Sequence, residues 1–135
     1  MIRFLLDTAA CVELIRGRSR RTLARLRRCA VGTVGVSSIT LAELQYGAAR
    51  SSRPEQNLAA LVQFCAPLEV LDFDGPAAAA YGRVRTALER SGSPIGPLDT
   101  LIAAHAVSAG AALVSGNERE FKRVAGLKVE NWWRG

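Results

Sequence analysis

Three acidic residues stand alone in otherwise uncharged stretches of the sequence. Glu43 is the only Asp, Glu, Lys or Arg in positions 29–49, and Asp99 is the only one in positions 91–117. Asp7 has no charged residue within three positions on either side. A carboxylate in such surroundings must be paired, hydrogen-bonded or metal-bound, or it takes up a proton. Since no basic neighbour in sequence pairs with any of the three, the simplest shared solution is that they meet and bind one cation.

Strands and helices alternate along the chain in an order that brings these acids together. Short apolar runs followed by helical stretches are typical of an α/β domain with a central, mainly parallel sheet flanked by helices. The predicted strands cover 2–6, 31–37, 69–72, 111–115 and 127–130. The predicted helices cover 8–16, 19–28, a stretch from a Ser37 or Ser38 cap to 49, 54–65, 75–90 and 97–110.

All three acids fall at predicted junctions between a strand and a helix. Asp7 ends the first strand, Glu43 lies in the second turn after the second strand, and Asp99 lies in the first turn of a later helix. In a parallel α/β sheet these junctions converge at the carboxyl edge. Carboxylates there repel one another, by about 4 kcal/mol per pair at roughly 4 Å and an effective dielectric constant of about 20. A divalent ion offsets that repulsion, and all-oxygen ligands favour Mg²⁺, with Mn²⁺ as a substitute.

Each acid also has an ordinary structural interpretation. Asp7 can serve as the N-cap of the helix that follows it, and Asp99 can belong to a capping arrangement behind Gly96 or Pro97. Glu43 can be an ordinary helix glutamate, although its neighbours at helical spacing are apolar or small. A cap and a cluster are compatible with each other, and the isolation of all three acids at such junctions favours the shared site.

The charge balance of the 135-residue chain favours an anionic partner. The chain carries 18 Lys and Arg against 12 Asp and Glu, a net charge of +6, and 16 of the basic residues are Arg, whose planar fork suits phosphate. Seven arginines fall in positions 16–28. They form a solvated helix face, a surface that follows RNA phosphates, or a docking face for an acidic partner, and all three interpretations stay open.

Composition also limits the class of protein. The three cysteines, Cys11, Cys29 and Cys65, are odd in number and include no C-x-x-C pair. They predict reduced thiols of a cytoplasmic protein and not a disulfide or zinc framework. No apolar run approaches the roughly 20 residues of a membrane helix, so no membrane partner is expected. The length fits one domain over residues 1–135.

The lone histidine and the two tryptophans are expected to serve the core. His105 lies between alanines of a predicted helix, where packing explains it better than catalysis. Trp132 and Trp133 follow the last predicted strand, and burial against the sheet edge is favoured over the stacking of nucleic-acid bases. None of these residues is therefore assigned to the predicted site.

Four segments of the chain together resemble the PIN-domain ribonucleases, in particular the VapC-type toxins of bacterial toxin–antitoxin pairs. They are FLLDTA at 4–9, SSITLAELQYG at 37–47, PLDTLIAAHA at 97–106 and LVSGNEREF at 113–121. The resemblance implies a PIN-like fold in a single domain and a Mg²⁺-dependent endoribonuclease that cuts single-stranded or structured RNA. It also implies a homodimer and a cognate antitoxin that inhibits the enzyme.

The same resemblance assigns the site residues. Asp7, Glu43 and Asp99 match the family's acids, both as catalytic residues and as metal ligands. Asn117 takes the place where relatives commonly carry a fourth acid, and it is included among the catalytic positions. Either the amide of Asn117 completes the site or Glu120 supplies the charge.

Two hydroxyl positions and the amide at 117 bear further on function. Thr8 and Ser38 match small hydroxyl positions near the family's site and are expected to hold a water or a phosphate. Because an amide replaces an acid at 117, the alternative to an active enzyme is a catalytically weak PIN-like module that binds RNA or a protein. A phospho-receiver-like domain ranks last, because it needs a second acid beside Asp7 and a lysine after a later strand.

Overall fold

Five parallel strands form one sheet in the computed structural model, which describes residues 1–134. The strands are β1 (Phe4–Leu6), β2 (Val34–Ser37), β3 (Glu69–Leu71), β4 (Ala112–Val114) and β5 (Val129–Glu130). The helices are α1 (Thr8–Arg16), α2 (Arg20–Arg27), α3 (Ser38–Ala49), α4 (Pro54–Cys65), α5 (Gly75–Arg90), α6 (Pro97–Ala109) and α7 (Glu118–Phe121). The strand order across the sheet is β3-β2-β1-β4-β5, so the first strand lies in the centre.

The central position of β1 creates a switch point in the sheet. From β1 the chain crosses to β2 on one side, and it later returns to β4 on the other side. Leu6 pairs in register with Val114, so Asp7 and Ser115 follow the two strands side by side. Ligands of open parallel sheets bind outside the carboxyl ends of the strands at such a point.

Strand and helix ends differ from the predicted ones where the chain turns. β2 begins at Val34 and not at 31, because residues 31–33 form a turn in which Gly32 has a φ of 87°. The helix α2 begins one residue later than predicted, since Ser19 is its N-cap and accepts a hydrogen bond from the Thr22 N–H. The short helix α7 was not predicted, because four residues are too few for a periodic pattern.

The core lies in two layers, one on each face of the sheet. Successive residues of a strand point to opposite faces, so Phe4 and Leu6 of β1 enter one layer and Leu5 enters the other. The first layer includes buried residues of α1, α3 and α4, and the second includes those of α5 and α6. Helices therefore cover both faces, as a buried parallel sheet requires.

The arginine-rich segment is exposed except for one member. Arg25 is half-buried, lies over the rings of Phe4 and Trp132 at 5.1 and 4.9 Å, and is 3.7 Å from a carboxylate oxygen of Glu130. Trp132 is buried and its Nε1–H donates to Glu130 at 3.1 Å, which confirms the predicted burial of this residue. The other six arginines of positions 16–28 are exposed, which is compatible with each of the three interpretations of this segment.

Two further findings concern the cysteines and the length of the helices. Cys11, Cys29 and Cys65 are all free thiols. Burial raises the pKa of the Cys11 thiol well above its ordinary value and also raises the pKa of Cys65, so these two thiols are protonated and unreactive at neutral pH. No helix within residues 1–134 is long and apolar enough to cross a membrane.

Gly35 of β2 leaves no room for a side chain, because β3 approaches it closely. A Cβ at this position would lie 2.7 Å from Leu71 Cδ1 and 2.8 Å from the backbone oxygen of Glu69. Gly35→Ala should therefore lower the free energy of unfolding in urea by about 1–3 kcal/mol. Gly82→Ala in the exposed middle of α5 is the matched control, since nothing lies within 4 Å of its Cβ. It should raise that free energy by roughly 0.5–1 kcal/mol, and equal effects of the two changes would contradict the prediction.

Candidate active site

Asp7 lies at the carboxyl end of the central strand. It is the N-cap of α1, and its Oδ1 accepts a hydrogen bond from the Ala10 N–H at 2.7 Å. Its backbone N–H donates to the Val114 carbonyl at 3.1 Å, which ties it to the end of β4. Only 4% of the residue is exposed. Asp7 therefore caps the helix, as its ordinary interpretation predicts, and also places a buried carboxyl group at the sheet edge.

Opposing interactions set the protonation of Asp7. Burial raises its pKa above the usual 3.8 and is the largest effect, because a charged carboxylate loses its hydration. Hydrogen bonds from the Ser115 hydroxyl and the Ala10 N–H lower the pKa, and the charge of Glu43 raises it. The fully buried Ser115 was not predicted as a site residue. Its only signal is its place after β4, beside Asp7 in the register of the sheet.

Glu43 reaches the same edge from the middle of α3. The Thr8 hydroxyl donates to Glu43 Oε1 at 2.7 Å and lies 3.5 Å from the hydroxyl of buried Thr40. Glu43 is half-buried, and its charge raises the pKa of both Asp7 and Asp99. The observed role of Thr8 is therefore to orient Glu43, and its predicted contact with a water or a phosphate stays a prediction.

Asp99 enters the site from the first turn of α6. It is half-buried, and burial is the largest of the effects that raise its pKa above the usual 3.8. The charges of Asp7, Glu120 and Glu43, in that order, raise it further. Solvent and salt screen the charges of partly exposed groups over roughly 10 Å. The charges of all three acids nevertheless act on Asp99.

The amide at 117 and the acid at 120 are linked across one turn of α7. Asn117 Nδ2 donates to Glu120 Oε2 at 3.0 Å, and the Asn117 backbone N–H donates to the Ser115 hydroxyl at 2.9 Å. Asn117 is exposed, whereas Glu120 is half-buried and its charge acts on Asp99. Of the two alternatives for the fourth acid, Glu120 is the one that brings negative charge beside Asp99.

Four carboxylates share this edge of the sheet, which we term the acidic edge: Asp7, Glu43, Asp99 and Glu120. The ion pairs within residues 1–134 engage other acids, namely Glu13, Glu89, Glu118 and Glu130. No three His, Cys, Asp or Glu side chains of the described chain stand at the spacing of a formed metal site. That Asp7, Glu43 and Asp99 together bind one cation stays a prediction. Mutual repulsion favours separation of these side chains, and the Thr8 hydroxyl engages Glu43.

Two further residues from the sequence analysis hold the framework of the site. Ser38 Oγ accepts a hydrogen bond from the Phe73 N–H at 3.1 Å, which ties α3 to the loop after β3. The accessory role of Ser38 toward a water or a phosphate stays a prediction. His105 is buried with its Nδ1 2.8 Å from Ser37 Oγ and its ring edge-on to Phe73, which confirms that it packs in the core. Burial lowers the pKa of His105, so its imidazole is neutral at neutral pH.

The raised pKa of Asp99 predicts that its charge destabilises the fold. The folded chain binds the Asp99 proton more tightly than the unfolded chain does, so protonated Asp99 contributes to the free energy of unfolding. This contribution is fully present below the usual pKa of 3.8 and is lost as the pH rises through the folded-state pKa. Asp99→Asn should therefore raise the melting temperature at neutral pH in EDTA by a few degrees, and the gain should vanish below pH 3.8. Glu55→Gln is the control, because it removes an exposed charge that favours the N-terminus of α4. A melting temperature of Asp99→Asn at or below that of the wild type would contradict the prediction.

Comparison with known proteins agrees with this geometry. Residues 4–127 match the PIN domain. The chain is 43% identical over 132 residues to the tRNA(fMet)-specific endonuclease VapC of Shigella flexneri, a match that covers 98% of this chain and 99% of that protein. It is 44% identical over 132 residues to ribonuclease VapC2 of Haemophilus influenzae strain Rd, with 98% and 99% covered.

Two solved structures match this chain over nearly its whole length. The crystal structure of DNA-bound VapBC from Salmonella typhimurium matches with a TM-score of 0.93 at 43% identity, and the match covers 98% of this chain and 99% of that chain. The structure of VapBC2 from Rickettsia felis bound to a promoter DNA fragment matches with a TM-score of 0.92 at 42% identity, with 98% and 99% covered. The five-stranded parallel sheet is thus a PIN fold, and the chain belongs to the PIN-domain family, among its VapC-type members.

Proposed function

We propose that this chain is the toxin of a toxin–antitoxin pair, a Mg²⁺-dependent endoribonuclease that cuts single-stranded or structured RNA and is inhibited by a cognate antitoxin. The observation that carries the proposal is the acidic edge. Its four carboxylates gather at the switch point of the sheet, and no ion pair within residues 1–134 neutralises them. Three relatives at 43–44% identity over nearly the whole chain are named as endonucleases or ribonucleases, which supports the same class of enzyme here.

Asp7, Glu43 and Asp99 are the proposed ligands of Mg²⁺, with Mn²⁺ as a substitute. Their donors are all oxygen, the ligand type that hard divalent cations select. No ion pair within residues 1–134 engages Asp7, Glu43 or Asp99, so these residues fit the ion by donor type and charge. When bound, the ion lowers the pKa of a water molecule and balances charge on the phosphate.

The groups of the chain itself are proposed to orient the reactants and to accept a proton. The hydrogen bond from the Ala10 N–H fixes the Asp7 carboxylate, so it need not reorganise during the reaction. The Thr8 hydroxyl fixes Glu43 through Oε1, which leaves Oε2 to accept a proton from the attacking water. In-line attack on phosphorus then breaks the bond to the 3′-oxygen and leaves a 5′-phosphate and a 3′-hydroxyl.

The names of relatives narrow the proposed substrate and partners. The VapC proteins of Shigella flexneri and Salmonella typhimurium are named as tRNA(fMet)-specific endonucleases, so we propose a transfer RNA as the substrate class. The solved structures from Salmonella typhimurium and Rickettsia felis are VapBC complexes, so we propose an antitoxin as the protein partner of this chain. A homodimer is part of the same proposal. The net charge of +6 favours association with RNA.

A catalytically weak module that binds RNA or a protein is the second candidate function. The observation that favours it is Asn117, whose amide brings no charge and which donates a hydrogen bond to Glu120. Glu120 argues against the binding module, because the charge of this acid raises the pKa of Asp99. The two candidates differ in one measurable property, which is cleavage of the bound RNA.

Removal of one carboxylate should abolish cleavage without loss of the fold. The purified chain, free of other proteins, should cut initiator tRNA in Mg²⁺ or Mn²⁺ and stop when EDTA is added. Asp7→Asn should lower the rate by about 10²–10⁴-fold, because Asn keeps the helix cap at Ala10 and only the charge is lost. Gel quantification of the tRNA fragments measures the rate. A wild type that binds RNA and leaves every RNA intact in both metals would refute the enzyme and support the binding module.

Two acids of α7 provide a matched test of the fourth charge. Glu120→Gln removes the charge that acts on Asp99, so cleavage should fall by about 10–100-fold and half-maximal activity should require more Mg²⁺. Glu118 instead pairs with Arg134 and accepts a hydrogen bond from Asn131, so Glu118→Gln should keep the wild-type rate. Equal losses in both variants would show that Glu120 has no special part in the site.

A further inference from the structure

The two adjacent tryptophans of the tail have opposite surroundings. Trp132 is buried, its ring stands edge-on to Phe4, and its Nε1–H donates to Glu130. Trp133 is half-buried, and its Nε1 is the one buried side-chain nitrogen or oxygen within residues 1–134 that has no hydrogen-bond partner. Buried donors are rarely left unpaired in native proteins, and each such case needs an explanation. The prediction that both tryptophans serve the core therefore holds for Trp132 and is incomplete for Trp133.

Trp133 lines a shallow pocket whose other residues are mostly small. They are Ala9, Ala10, Glu13 and Gly116. Ala9 and Gly116 are exposed and present no side chain beyond a Cβ, which leaves room for a flat group against the indole. Glu13 supplies the only carboxylate of this pocket, and its nearest basic group, Arg16, is 3.7 Å away.

The pocket shares its walls with the acidic edge. The Ala10 N–H that lines the pocket region holds Asp7 Oδ1 at 2.7 Å. Gly116 lies between Ser115, which follows β4 beside Asp7, and Asn117, which donates a hydrogen bond to Glu120. An RNA strand with a phosphate at the acidic edge therefore has a neighbouring nucleotide beside this pocket.

We infer that Trp133 is a platform for a nucleobase that flanks the phosphate to be cut. The base stacks on the indole, and Glu13 accepts hydrogen bonds from N–H groups on the edge of the base. Stacking on an aromatic side chain serves any base, because every base has a π-face. This inference rests on the proposed ribonuclease function and adds to it a site that positions the RNA.

A nucleobase suits this pocket better than a peptide side chain does. An aliphatic side chain of a partner would cover the indole but would offer no hydrogen bond to the Glu13 carboxylate, whose side chain stays 39% exposed beside Arg16. The edge of a base carries donors and acceptors together, and guanine offers two adjacent N–H donors that match one carboxylate. We therefore expect guanine to be the preferred base.

Binding is measured on the full-length Asp99→Asn chain in EDTA, so that neither cleavage nor metal binding by the nucleotide interferes. The two indole Nε1–H resonances are followed by NMR during titration with GMP, AMP, CMP and UMP. The Trp133 resonance should move, most with GMP, and the Trp132 resonance should stay, because its donor is already bonded to Glu130. A shift of neither indole, or of both equally, would overturn the platform. Equal affinity for the four nucleotides, unchanged in Glu13→Gln, would overturn the role of Glu13.

The second test measures KM and kcat for tRNA on single variants of the otherwise unaltered chain. Trp133→Leu should raise KM for tRNA about 10-fold or more with kcat within about twofold, and Trp133→Phe should restore most of the affinity, because the ring is retained. Trp132→Phe is the matched control and should lower the melting temperature without changing KM. Normal KM in Trp133→Leu, with active wild type, would refute the platform and leave the ribonuclease standing.

Two outcomes separate this inference from the function on which it rests. A wild type that cuts no RNA would refute the proposed function, and the NMR titration would still decide whether Trp133 binds a base. A Trp133 resonance that moves with an antitoxin-derived peptide and with no nucleotide would show that the pocket takes a protein partner, and the inference would be wrong.

Discussion

Negative charge gathered without a basic partner is the constraint on which the rest of this structure depends. The carboxylates of the acidic edge repel one another and lose hydration, and the raised pKa values of Asp7 and Asp99 result from both effects. Like charges held this way destabilise the folded chain unless something else compensates. The packed sheet fixes the backbone that carries the acids: β1 lies in the centre, β4 pairs beside it, and core layers cover both faces. Only the side chains can then turn away from one another. A site that costs stability and is held by a stable scaffold is what a functional site typically looks like.

The first two residues after β1 show how closely structure and chemistry are combined. Asp7 caps α1 through Oδ1, and Thr8 donates to Glu43. A carboxylate has two oxygens and about four acceptor positions, so a cap at one oxygen leaves the other for a ligand. The ordinary interpretation of Asp7 as a helix cap is therefore confirmed and is compatible with the proposed metal ligation, and a substitution that keeps the cap isolates the charge.

The sequence was sufficient for the fold, because the alternation of apolar runs and helical stretches is visible in a single chain. It also singled out three acids by their isolation and by their position at strand-to-helix junctions. It was insufficient for the contacts that fix each acid. Ser115 acts on Asp7 only because β1 and β4 are neighbours in register, and that pairing joins residues far apart in sequence. The fourth charge depends on a helical turn of four residues that no periodic pattern reveals, and this turn places Glu120 within a hydrogen bond of Asn117. Side-chain spacing was also beyond the sequence, since repulsion and the Thr8 bond set it locally.

The distribution of charge over the molecule limits where a polyanion can bind. The chain is basic overall, with six exposed arginines in positions 16–28, while the acidic edge is negative and partly buried. An RNA phosphate is repelled by that edge in the absence of a cation, so affinity for RNA must come from basic and aromatic groups elsewhere on the surface. Under the proposed function, those contacts release counterions or stack bases, so we expect affinity to depend on salt and on Trp133, and cleavage to depend on a divalent ion. Binding and catalysis are therefore separable, and for this reason a chain with a neutralised acidic edge should still hold RNA that it cannot cut.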